Sequence, residues 1–123
     1  MKKRIQRLLQ RIRNKDIYAT LELGAIKDPD AIDPLMEALG DENEWVRNYV
    51  SLCLYGMNNP IVTELLANSL EKSNDSQKLH ILETLTMIAD PSCLKKVKLL
   101  LSDPNPTIKE KAKLLINKII QQS

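Results

Sequence analysis

Apolar residues in this chain recur three and four positions apart, the spacing that gathers them on one face of an α-helix. Between residues 32 and 57 they fall at Ile32, Leu35, Met36 and Leu39, then at Val46, Val50, Cys53, Leu54 and Met57. Gly40-Asp-Glu-Asn-Glu separates the two runs, with a glycine where one helix ends and acids where the next begins. The pattern predicts a hairpin of helix A over 29–40 and helix B over 44–57. Asp28-Pro29 precedes it, and proline suits the first turn of a helix.

The same pattern returns at a fixed interval. Pro29, Pro60 and Pro91 stand 31 residues apart, each preceded by Asp or Asn. Without a gap, the same shift superposes Leu35, Leu66 and Val97; Leu39, Leu70 and Leu101; Val50, Ile81 and Ala112; Leu54, Leu85 and Ile116; and Met57, Ile88 and Ile119. A sixth column is basic: Arg47, Lys78 and Lys109. Six columns in one register mark a structural repeat. The later hairpins are predicted over 60–72 with 75–88, and over 91–102 with 106–120.

Shifted back by 31, the pattern reaches Ala19, Leu23 and Ile26, a helix B over 16–27. Before it, Ile5, Leu8, Leu9 and Ile12 form the apolar face of a helix over 2–13, and Arg4, Arg7, Arg11 and Lys15 form a basic stripe on another face. The expected organisation is one domain, 1–123: a cap unit at 1–28 and full repeats at 29–59, 60–90 and 91–123. A single helical hairpin cannot bury its own apolar face, so successive units must stack.

Composition agrees with helices. Hydrophobic residues make up 43% of the chain, but aromatics only 3%, so aliphatic side chains must fill the core. Three glycines are too few for a turn-rich β protein. No apolar run approaches the roughly 18 residues that span a bilayer, and the basic start lacks the apolar stretch of a signal peptide, so the expected location is cytoplasmic. In a reducing compartment Cys53 and Cys93 read as small core residues. Charge is uneven: residues 1–15 hold seven bases and no acid, 16–75 hold three bases and twelve acids, and 76–123 hold eight bases and four acids.

The stretch from Leu23-Gly-Ala-Ile-Lys-Asp-Pro through Ala31-Ile-Asp-Pro-Leu and Ala38-Leu to Trp45-Val-Arg resembles the HEAT-like repeat of the phycobilin-lyase type. The likeness covers about residues 16–120. The second unit departs most, with Lys72 at the turn-Asp position and Gln77 at the Val position. The resemblance implies an all-α fold, a short right-handed αα superhelix of 31-residue hairpins. It also implies that the turn Asp and the base six residues on bond within or between units, a role that Asp41/Arg47 and Asp103/Lys109 fit and Lys72/Lys78 does not. Such families hold chromophore lyases and scaffold proteins, so function must be argued from the surface.

Catalytic chemistry is sparse. The one histidine, His80, has no second His or spaced Cys for a metal site, and the glycines at 24, 40 and 56 make no phosphate loop. The dense carboxylates from Asp28 to Glu44 sit at helix starts, where caps explain them. No enzymatic activity and no cofactor are therefore expected. In stacked hairpins the B helices line the surface that commonly binds. Its outward positions are expected at Asn48, Leu52 and Tyr55, then Leu79, Glu83 and Thr86, then Glu110, Leu114 and Asn117. The favoured role is a non-catalytic protein-interaction or scaffold module with another protein as partner. The alternatives are nucleic-acid binding through the basic stripe Arg4, Arg7, Arg11 and Lys15, and a chromophore-lyase-like accessory role. The acidic middle and the shortage of stacking aromatics weigh against nucleic acid. Self-association through a terminal face is a further expectation. Trp45, just before helix B, is expected to staple the turn, with an exposed anchor as the alternative.

Overall fold

The computed structural model describes the backbone of residues 2–122 and the side chains of residues 3–122. Its described residues form helices and turns without a strand, an all-α fold. The chain divides into two compact units, Met1–Asn59 and Pro60–Ser123, with the division at a repeat boundary.

The first unit holds α1 (Lys2–Arg13), α2 (Ile17–Ile26), α3 (Ile32–Ala38) and α4 (Glu44–Met57), with a 3₁₀ turn at Pro29–Ala31 before α3. Its starts are chemically defined. Asp16 caps α2 by accepting from the amides of Tyr18 and Ala19, and Asn43 caps α4 by accepting from Trp45. Asp28 accepts from the Asp30 amide, and Pro29 opens the 3₁₀ turn. The α1 face of Ile5, Leu8, Leu9 and Ile12 is buried, as its spacing predicts. Helix α2 packs along α4 with little between them at Gly24, where a Cβ would lie 3.5 Å from the Cys53 carbonyl oxygen.

The second unit holds α5 (Pro60–Ser69), α6 (Asp75–Ile88), α7 (Leu94–Lys98) and α8 (Pro106–Gln121). A 3₁₀ segment at Leu70–Lys72 continues α5, and others at Pro91–Cys93 and Leu99–Ser102 flank α7. Asn74 and Gln77 close a reciprocal capping box at the start of α6. Asn105 accepts from the amides of Thr107 and Ile108 at the start of α8.

Three B helices end alike. Lys27, Asn58 and Ala89, 31 residues apart, take left-handed backbone with φ of 54°, 47° and 55°, immediately before each Asp/Asn-Pro step. That conformation reverses the chain into the next A helix.

One column departs from the period. Leu39 and Leu70 are buried as expected, but Leu101 is exposed and Leu100 is buried in its place. Around Leu99–Ser102 the backbone is 3₁₀, with three residues per turn instead of 3.6. Each residue there advances further round the axis, so the inward position arrives one residue early.

The turn contacts also differ from expectation. The Arg47 guanidinium donates to the backbone carbonyls of Asp41 and Glu42, at 2.7 and 2.9 Å, and not to the Asp41 carboxylate. Lys78, expected to have no acid to meet, pairs at 2.9 Å with Asp103 of the following repeat. Lys109 is exposed and does not engage Asp103. Lys78 therefore reaches forward to a following turn that carries an acid, whereas Arg47 serves the carbonyls of its own turn.

Candidate protein-docking surface

The chain has four aromatic residues, and all four lie on α2 and α4: Tyr18, Trp45, Tyr49 and Tyr55. Tyr49 is buried, with its ring set edge-on to Trp45 at 5.1 Å between centroids. The other three are open to solvent, at 74% for Tyr18, 49% for Trp45 and 52% for Tyr55. Trp45 is thus half-exposed, with Lys15 Nζ 5.7 Å from its ring centroid in cation–π reach.

Aliphatic side chains complete this face. Leu21 is 64% exposed and Leu52 45%, and Ile17 is exposed on the first turn of α2. Leu21 and Leu52 are one repeat apart, equivalent positions on two helices that pack side by side. The remaining exposed positions on these helices are Ala25, Asn48, Gly56 and, in the first turn of α4, Glu44. Among the exposed positions of these two helices Glu44 is the one charged residue, and charge borders the face at Lys15, over Trp45, and at Glu22, which Arg4 and Arg11 engage.

The equivalent face of the second unit is different. The Leu21/Leu52 column continues as Glu83 and Leu114, and Glu83 is engaged by Lys111 at 2.9 Å. Leu79 is half-buried, as is Thr86, whose hydroxyl donates to the Leu82 carbonyl. Lys118 donates to the Thr86 carbonyl at 2.8 Å. Glu110, Leu114 and Asn117 are exposed on α8. Of the positions expected to face outward, Asn48, Leu52 and Tyr55 are exposed on α4, Glu83, Glu110, Leu114 and Asn117 are exposed in the second unit, and Leu79 and Thr86 are half-buried. Sequence reasoning missed Ile17, Tyr18 and Leu21, although stepping back 31 residues from Asn48, Tyr49 and Leu52 reaches them directly.

The basic stripe on α1 is largely occupied by the chain's own acids. Arg4 pairs with Glu22 at 3.0 Å, and Arg11 reaches Asp16 at 2.9 Å and Glu22 at 3.4 Å. The Arg11 hydrogen bond, helped by the Ala19 and Tyr18 amides, holds the Asp16 carboxyl below its ordinary range. Lys15 sits over Trp45, and Arg7 is exposed. Such pairs at the surface contribute little stability, but they halve the stripe's free positive charge.

Neither thiol is poised for chemistry. Cys53 is buried and donates to the Thr20 carbonyl at 3.2 Å, and burial pushes its thiol up to about 12. Burial likewise pushes Cys93 up to about 11. A nucleophilic cysteine needs the opposite shift. Among the described residues no group of His, Cys, Asp and Glu could hold a metal ion, and no helix is long and apolar enough to cross a membrane.

A family model for HEAT repeats matches residues 2–79. No curated protein is similar enough in sequence to match.

Proposed function

Because this chain belongs to the HEAT-repeat family, we propose that it is a non-catalytic docking module that holds a partner protein on the exposed face of α2 and α4. HEAT repeats commonly mediate protein interaction or scaffolding. The observation that carries the reading is the placement of every aromatic residue on those two helices, with three of them solvent-exposed. Tyr and Trp dominate the energetics of protein interfaces, because each offers a large rigid apolar body with a polar tip. In a chain that fills its core with aliphatics, aromatics held at the surface serve recognition.

The face suits a partner with an apolar stripe. Ile17 and Leu21 on α2, and Leu52 and Tyr55 on α4, offer apolar anchors, and Trp45 offers a ring that already holds the Lys15 cation. A phycobilin-lyase-like accessory role and nucleic-acid binding both find less support, since the thiols are buried and Arg4 and Arg11 are paired.

The test is site-specific photo-crosslinking in the cells that make the protein. Benzoylphenylalanine in place of Leu52 should give a discrete, nuclease-resistant protein adduct. The same group in place of Glu37, exposed on α3, should give none. Equal adducts at both positions, or a nucleic-acid adduct at Leu52, would reject the reading.

A further inference from the structure

The second unit has a surface that this function does not use. The shift of register at Leu99–Ser102 leaves Leu99 and Leu101 exposed. Leu101 forms one wall of a shallow groove of about 350 Å³, completed by Pro104, Pro106, Lys109, Glu110 and Lys113. That volume is at the small end for a ligand pocket, room for an anchoring side chain and not for a whole cofactor.

Its charge is unspent. Lys109 and Lys113 lie one helical turn apart on α8 and are exposed, and neither engages a carboxylate among the described residues. Four other lysines of this unit are committed: Lys78 to Asp103, Lys96 to Glu71, Lys111 to Glu83, and Lys118 to the Thr86 carbonyl. Asp103, the acid closest in sequence to the groove's prolines, is held by Lys78 and by the Asn105 amide, so it does not neutralise the pair. Glu110 is the one carboxylate in the lining.

We propose that this groove binds an acidic peptide segment of a partner protein, with an apolar side chain seated between Leu101, Pro104 and Pro106 and flanking carboxylates on Lys109 and Lys113. Charge complementarity selects the acidic partner, and the apolar floor selects a peptide over a bare anion. A nucleic-acid strand is disfavoured, because the second unit contains no Phe, Tyr or Trp on which a base could stack. The groove is lined wholly by residues of the second unit.

Selection of a random dodecapeptide display library on the full chain tests the proposal, with the enriched peptides then made synthetically and titrated by fluorescence anisotropy. Enriched sequences should combine Asp or Glu with one large aliphatic residue. Their affinity should fall about tenfold or more in K109E/K113E, and should weaken with added salt. It should be unchanged in L21D/L52D, which alters only the aromatic face. Circular dichroism establishes that each variant is folded, as expected for exposed positions. The proposal is overturned if no acidic peptide is enriched, or if enriched peptides bind K109E/K113E as tightly as the parent. It is equally overturned if oligothymidine binds through Lys109 and Lys113 while the peptides do not.

Discussion

Lys78 Nζ lies 2.9 Å from Asp103 Oδ2, joining a B helix to the turn of the repeat that follows it. The Asn105 amide also donates to this carboxylate, and the two together, the amide first, hold Asp103 below its ordinary value of 3.8. A carboxyl whose folded value is lowered contributes stability that is present above 3.8 and is lost as pH falls through the lowered value. In Lys78→Met the Asp103 carboxyl should titrate higher than in the parent, yet still below 3.8, because the amide remains. Carboxyl-carbon NMR titration reads this directly. An unmoved Asp103 in the variant would mean that the lysine contributes nothing in solution.

The left-handed residues that end three B helices predict a stabilised variant. Ala89 and Lys27 carry a Cβ in a conformation that costs an L-residue about 1 kcal/mol, whereas glycine adopts it freely. Ala89→Gly and Lys27→Gly should each raise stability by about 0.5–1 kcal/mol in urea unfolding. Asn58→Gly should gain less, since asparagine tolerates this region. Loss of stability in Ala89→Gly would contradict the assigned backbone.

Thr20 is buried at 2% exposure, and among the described residues its hydroxyl has no hydrogen-bond partner. An unsatisfied buried hydroxyl is a cost that an isosteric methyl removes. Thr20→Val should stabilise the first unit by about 1 kcal/mol in the same assay.

Gly24 sets the closeness of α2 and α4. A Cβ there meets the Cys53 carbonyl oxygen at 3.5 Å and Gly56 Cα at 3.9 Å, ordinary contact distances. Gly24→Ala should therefore fold and gain up to about 1 kcal/mol from reduced chain entropy. Gly24→Leu has no such room and should lose about 1–3 kcal/mol by forcing the helices apart. Thermal unfolding of the two variants should move in opposite directions.

Much of the fold was legible because its signals are local. The Asp/Asn-Pro steps and the aliphatic columns mark each hairpin, and helix existence follows from their spacing. What stayed hidden has a physical cause in each case. Lys27, Asn58 and Ala89 share a conformation but no chemistry, so no column announced them. Leu101 was misplaced because a period of 3.6 was applied to 3₁₀ backbone. The partner of Lys78 lies 25 residues away in the next turn, beyond any within-repeat rule. Half of the docking face was visible in Leu52 and Tyr55. The other half needed the same repeat carried back to Tyr18 and Leu21, and the exposure of all four residues depends on packing that spacing alone does not specify.

Docking of a partner protein on the apolar face of α2 and α4 is open to direct measurement. Its most direct test is a pull-down from a lysate of the source cells, comparing the parent chain with L21D/L52D, whose substituted positions are exposed and leave the core intact. A discrete protein should be retained by the parent, survive nuclease treatment, and be lost from the folded double variant. Retention of the same protein by both chains would contradict it.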